Sequence, residues 1–241
     1  MISAAFAYVS LAVLGTVVDH YHDHLDAEVG SEEDLSILFS DIRGFTSISE
    51  AVSANRVVEM LNHYFSAMTA VIFGQRSTID KFIGDAIMAF WGAPIREAQH
   101  ADLALTAAIE MCRRLEEVNR WLAENGYPPT QIGIGINSGK VILGNIGSVQ
   151  KLDYTVIGDN VNLSSRLERL TKQYGVAIII SEQTYEKLHS PPPCYLLDRV
   201  RVKGKQAPIR IYTPIFDQSF DEAQPLAQLS HDTFDAYRQQ Q

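Results

Sequence analysis

Apolar residues recur along this chain with two periods, and the switches between them mark out its elements. Leu35-Ser-Ile-Leu-Phe39 is a short apolar run that ends at Asp41 and a glycine-containing turn, the pattern of a buried strand. From Ala54 to Phe73 the positions Val57, Leu61, Tyr64, Phe65, Met68, Val71 and Ile72 follow the helical period and predict one buried stripe. A strand, the turn Gly84-Asp85 and the strand Ile87–Trp91 then read as a hairpin, because a two-residue turn that starts with glycine suits the twist of antiparallel strands. A second long helix is predicted over about 97–124. Its stripe is Ala101, Ala104, Leu105, Ala108, Met111, Leu115, Val118 and Leu122, and Pro128-Pro129 is expected to stop it. Gln131–Asn137 and Val141–Gly147 read as two strands joined by a turn at Ser138-Gly139. Their glycines alternate with isoleucine at period two, which suits close packing against another backbone better than a dinucleotide-binding loop.

Further on, Tyr154–Ile157 is a short strand, and Asn160 to Tyr174 is a helix closed by Gly175. Val176–Ile180 is a buried strand, and Ser181 can N-cap a short helix that ends before the prolines 191–193. Two last strands, near Leu196–Val202 and Ile209–Pro214, flank Lys203-Gly-Lys205. This alternation predicts an α+β fold, a mainly antiparallel sheet with helices on one face and ferredoxin-like character. Residues 217–241 are polar, with the opening of a helix at His231–Gln241. Residues 2–18 form an apolar run that is slightly short for a membrane span and lacks both basic flanks and a signal-peptide cleavage site. His20, His22 and His24 alternate, do not share a helix face, and read as a solvated segment rather than a metal site.

Composition narrows the function without naming it. At 241 residues and 46% hydrophobic the chain can bury one substantial core. A net charge of −9 argues against a nucleic-acid surface, but not against a nucleotide held in a locally positive cleft. The two cysteines, Cys112 and Cys194, have no metal-ligand spacing and fit a reducing, cytoplasmic setting.

The candidate chemistry starts from Asp41 and Asp85. Both sit where strands stop and backbone N–H groups come free, an arrangement able to hold Mg²⁺ against a triphosphate. Phe39-Ser-Asp-Ile-Arg-Gly-Phe-Thr46, Asp80-Lys-Phe-Ile-Gly-Asp-Ala86 with its continuation to Pro94, and Tyr154-Thr-Val-Ile-Gly-Asp-Asn-Val-Asn-Leu-Ser-Ser-Arg-Leu-Glu168 resemble, in that order and spacing, the catalytic domain of the class III nucleotidyl cyclases. The resemblance covers about Leu35 to Ile215. It implies an N-terminal coupling segment over 1–34, in which Phe6-Ala-Tyr-Val-Ser10 looks like the family's entry element, a catalytic domain over 35–216, and a polar tail over 217–241. The apolar start and the unfinished terminal helix suggest a fragment, or a chain tied to an upstream sensor or membrane element.

The resemblance also implies roles. Asp41 and Asp85, with the backbone of Ile42, would hold two Mg²⁺ (or Mn²⁺) ions per site, and the backbone of Ile42, Gly44, Phe45 and Thr46 would cradle phosphates. Arg43 reads as a local structural charge. Lys81 and Thr155 would read the purine. Family members selective for GTP carry an acidic residue at the position of Lys81, so ATP is the expected substrate, and the threonine matches a bicarbonate-responsive subtype. Asn162 and Arg166 lie four apart on a polar helix face, opposite Leu163, Leu167, Leu170 and Tyr174. By resemblance they orient the ribose and meet the α-phosphate. Lys203 is the candidate phosphate contact from a loop, with Lys205 and then Lys140 as fallbacks. In the family the metal pair and the base-reading set come from opposite subunits, which implies a homodimer with two shared sites making cyclic AMP from ATP. The alternatives are a guanylyl cyclase and a catalytically silent nucleotide-binding regulatory module. A diguanylate cyclase is excluded, because Ile83-Gly-Asp-Ala86 is not its Gly-Gly-acidic-Glu-Phe turn.

Overall fold

The computed structural model of the chain describes residues 30–148, 150–201, 208–218 and 220–238. The apolar run 2–18, the alternating histidines and the loop lysines Lys203 and Lys205 lie outside the described residues. In chain order the elements are β1 (Ser31–Ile42), α1 (Phe45–Ala51), α2 (Ala54–Gly74), β2 (Thr78–Ile83), β3 (Ala86–Trp91), α3 (His100–Glu124), β4 (Ile132–Ser148) and β5 (Lys151–Ile157). They continue with α4 (Asp159–Tyr174), β6 (Ile178–Ser181), α5 (Glu182–Glu186), β7 (Cys194–Val200), β8 (Ile209–Pro214) and α6 (Phe220–Arg238).

One eight-stranded sheet runs β2-β3-β1-β4-β6-β8-β7, with β5 paired to the far end of β4. Among the described residues all pairings are antiparallel except β4 with β6. This is the expected mainly antiparallel α+β fold, but two details differ.

First, Ser138-Gly139 is not a turn. Residues 132–148 form one continuous strand, because β1 offers a full-length partner: Ile42 pairs with Ile132 at one end and Ser31 with Leu143 at the other. Gly139 is there for approach, since a Cβ on it would lie 2.6 Å from Asn160 Nδ2. Lys140 accordingly sits in mid-strand, 2.6 Å from Glu32 on β1, and not on a turn facing a ligand.

Second, helices cover both faces of the sheet. Leu38, Ile42, Ile87, Ala89, Trp91, Ile134, Ile136 and Ile180 pack with Met60, Tyr64 and Met68 of α2 and with Ala104, Ala108 and Met111 of α3. The opposite face carries α4, whose Leu163 and Leu167 pack on Ile179 and Ile211. Alternation explains the split, because neighbouring residues of one strand point to opposite faces. On the first part of β4, Ile132, Ile134 and Ile136 face α2 and α3, whereas Gly133 and Gly135 face α4. A Cβ on Gly135 would stand 2.1 Å from Glu168 N and 2.4 Å from Ser164 O, so α4 lies directly on bare strand backbone.

Smaller departures have local causes. α3 ends at Glu124, before the prolines, through Asn125 and Gly126, which takes φ +71°. The polar tail is a helix from Phe220 onward, with Ala223 and Ala227 buried against Ile215 and Tyr195. Cys112 is half-buried and Cys194 buried, and both are free thiols.

Candidate active site

β1 runs past its apolar stretch to Asp41 and Ile42, then turns through Gly44 (φ +70°) into α1. α1 was not expected from the sequence. Its first turn presents the N–H groups of Phe45 and Thr46, which no helical carbonyl can accept. Arg43, which the expected cradle of Ile42, Gly44, Phe45 and Thr46 leaves out, donates its N–H to Gln131 O at 2.8 Å. The Arg43 guanidinium donates to the carbonyl of Val176, which ties the end of β1 to the segment after α4 and agrees with a structural role.

Asp85 occupies the β2–β3 turn, where Gly84 takes φ +65°. The turn brings the Asp85 carboxyl against that of Asp41 and close to the backbone N–H of Ile42. Burial, and then the adjoining Asp41 carboxyl, push Asp85 up to about 6. Asp41 lies opposite Gly133, and the missing side chain there lets α4 bring Glu168 down beside it. Glu168 rises to about 7, through burial first and Asp41 second. Asp41, Ile42, Arg43 and Gly44 share a cleft of about 200 Å³ with Glu168, Arg169, Thr171 and Lys172. A larger cavity of about 300 Å³, between α3 and Ile215–Gln218, contains none of the expected site residues.

Among the described residues no set of three or more His, Cys, Asp or Glu side chains is arranged around one metal position. The fit is therefore of a limited kind. Two adjoining carboxyl groups beside a helix start suit a hard cation that takes its other oxygens from phosphates. This has a measurable consequence without metal. Asp85 keeps its proton in the folded state between the ordinary 3.8 and about 6, so its contribution to stability is present below that window and lost as pH rises through it. Asp85 is only partly buried, which cuts the effect of the full shift to about 1 kcal/mol. Metal-free Asp85→Asn protein should be more stable than the parent by about that amount near pH 7.5, should keep about half of the advantage near pH 5, and should lose it below the ordinary 3.8 in thermal unfolding.

The expected base readers form a second cluster. Lys81 Nζ lies 3.1 Å from Asp80 Oδ1, and Thr155 Oγ1 donates to Asp80 Oδ2 at 2.5 Å. Val156 N–H reaches the same Oδ2 at 3.4 Å. Asp80, whose side chain is wholly shielded from solvent, had been given no role from the sequence. Its placement comes from a bulge: Ile79 pairs with Ala89 and Lys81 with Met88, which leaves Asp80 as the extra residue on β2. A regular strand would send Asp80 and Lys81 to opposite faces. The one sequence signal was the break in alternation at Ile79-Asp-Lys-Phe82. Thr155 is buried, and the Lys81 side chain is 41% exposed.

On α4, Asn162 is exposed and Arg166 half-exposed, while Leu163 and Leu167 are buried, as the two-sided pattern predicted. Next to the base-reading cluster, Phe82 and Ile83 on β2 and Leu152, Tyr154 and Ile157 on β5 are large apolar side chains left exposed.

Sequence comparison gives a family match over residues 27–213, to the family described as Adenylate and Guanylate cyclase catalytic domain. An adenylate cyclase of Anabaena cylindrica is 40% identical over 197 residues, which are 79% of this chain and 38% of that protein. Adenylate cyclase 1 of Rhizobium meliloti is 32% identical over 78% of this chain and 28% of that protein. The chain thus spans well under half the length of these relatives. Among solved structures, the adenylyl cyclase CyaB from P. aeruginosa superposes with a TM-score of 0.73 at 34% identity, covering 79% of this chain and 97% of that one. The guanylyl cyclase Cya2 does so with 0.69 at 38%, covering 76% and 92%.

Proposed function

Because the chain belongs to the adenylate and guanylate cyclase catalytic domain family, we propose that it converts ATP to 3′,5′-cyclic AMP and pyrophosphate. The observation that carries this reading is the meeting of Asp41 and Asp85, from two separate strand ends, beside the start of α1. Relatives named as adenylate cyclases support it. Lys81 and Thr155 favour adenine among neighbours that include enzymes for both purines.

The reaction is an in-line transfer within one molecule. The ribose 3′-oxygen forms a bond to the α-phosphorus, the bond from that phosphorus to the bridging oxygen of pyrophosphate breaks, and the 3′ proton leaves to solvent. Asp41 and Asp85, with the backbone of Ile42, would hold two Mg²⁺ or Mn²⁺ ions, which supply charge for the entering and leaving oxygens. The N–H groups of Phe45 and Thr46, with Gly44 allowing close approach, bind the β- and γ-phosphates. Lys81 and Thr155 hold the purine edge and fix the ribose in line. Asn162 orients the ribose, and Arg166 meets the charge that builds on the α-phosphate, a task suited to a guanidinium. Lys203 would add a phosphate contact.

The sites are shared between two copies. Within one chain, the carboxylate pair and the Asp80–Lys81–Thr155 cluster draw on different neighbours, and the exposed apolar side chains of β2 and β5 suit cover by a second chain. Product identification tests the reading: ATP with Mg²⁺ or Mn²⁺ should give cyclic AMP and pyrophosphate, and GTP much less cyclic GMP. Cyclic GMP as main product would assign a guanylyl cyclase. No product from either, with nucleotide still bound, would assign a silent binding module.

A further inference from the structure

We propose that Asp80, the extra residue of the β2 bulge, sets the preference for adenine over guanine by fixing which way the Thr155 hydroxyl points its proton. The inference rests on the reading that Lys81 and Thr155 face the purine, and it assigns a positioning role to a buried carboxylate that does not itself touch the nucleotide.

A threonine hydroxyl has one proton to give and two lone pairs to receive with, so unaided it meets a donor or an acceptor equally well. Here that freedom is removed. The hydroxyl donates to Asp80 Oδ2 at 2.5 Å, and the same oxygen receives Val156 N–H at 3.4 Å. Asp80 Oδ1 lies 3.1 Å from the Lys81 ammonium. A carboxylate with an N–H on one oxygen and an ammonium on the other has only acceptance to offer Thr155. Thr155 is left with lone pairs alone to present to a ligand, while Lys81 can only donate.

That pair, one acceptor beside one donor, complements adenine, whose edge gives the N6 amino protons and receives at N1. Guanine reverses both positions, with O6 receiving and N1–H giving. It would set O6 against the Thr155 lone pairs and N1–H against the Lys81 ammonium. Mismatched polar contacts of this kind discriminate by about tenfold to a hundredfold. Without Asp80 the Thr155 hydroxyl can rotate and donate to O6. The bulge serves both parts of the device, since it turns Asp80 toward Thr155 while keeping it against Lys81.

The test measures kcat/KM for ATP and for GTP in the parent, Asp80→Ala, the isosteric Asp80→Asn, Thr155→Val, and Asp80→Ala with Thr155→Val. The ATP/GTP ratio is the readout, because a loss of folded or active protein lowers both numbers alike and leaves their ratio unchanged. Asp80→Ala should lower the ratio by about tenfold or more, with Asp80→Asn in the same direction. In the Thr155→Val background the further change from Asp80→Ala should shrink to within about threefold, since the hydroxyl it acts through is gone. A ratio within about twofold of the parent in both Asp80 variants overturns the inference, as does a change of undiminished size without the Thr155 hydroxyl. If the parent turns over neither nucleotide, the proposed activity fails by itself, and dissociation constants for ATP and GTP on the same proteins decide the role of Asp80 by the same ratio.

Discussion

Asp41→Ala should lower kcat for cyclic AMP formation by about 10³-fold or more while leaving the protein as stable as the parent or slightly more so. The two halves of this result have one cause. Asp41 and Asp85 repel each other when both are ionised, and this repulsion adds to burial in raising Asp85 to about 6. Removing Asp41 relieves Asp85 of a like charge, so the folded state loses nothing electrostatically. The same change removes half of the carboxylate set that would hold the divalent ions, and phosphoryl transfer depends on that charge more than on any proton-transfer group. Asp85→Ala should behave alike. Steady-state kinetics with Mn²⁺ and ATP, paired with thermal unfolding of the metal-free protein, check both halves. A purely structural aspartate would give the opposite pairing, a lower Tm with most of the activity kept.

Gly135→Ala should cost about 3 kcal/mol or more. The added Cβ would fall 2.1 Å from Glu168 N and 2.4 Å from Ser164 O, both backbone atoms of a packed helix that cannot rotate aside. For a domain of this size the loss corresponds to a fall in Tm of about 10 °C. α4 must lift, and it carries Asn162 and Arg166, so activity should fall further than the unfolded fraction explains. Gly74→Ala is the control. It sits at the end of α2 with nothing within 4 Å of its added Cβ, and should be neutral or slightly stabilising in the same denaturation experiment.

Much of this architecture is legible in the amino-acid sequence where one local rule has no competitor. Every predicted stripe position of α3 is buried, because a long helix with a single apolar face has only one way to meet a core. Ser181 caps α5 as expected, its Oγ accepting from Thr184 N at 3.1 Å. Reading fails where a long-range partner outweighs local preference. Ser138-Gly139 has the composition of a turn, yet β1 pairs straight across it. α1 is short and rich in serine and threonine, and it forms where Gly44 reverses the chain at the end of β1, a feature no periodicity could reveal.

The site divides in the same way. Asp41 and Asp85 stand out as acids ending apolar strands, and their motifs name them before any fold is known. That they meet depends on the β2–β3 turn reaching the end of β1, and the descent of Glu168 beside them depends on Gly133 having no side chain. Asp80 was hidden because a bulge is a property of pairing between β2 and β3, not of either strand alone.

Subunit complementation tests the central claim most directly. Asp41→Ala and Asn162→Ala chains, each inactive as a homodimer, are mixed, allowed to exchange and assayed for cyclic AMP. If each site takes its carboxylates from one chain and its α4 residues from the other, every mixed dimer holds one intact site, and random exchange returns about a quarter of parental activity. If each chain instead carries a whole site of its own, exchange will return none.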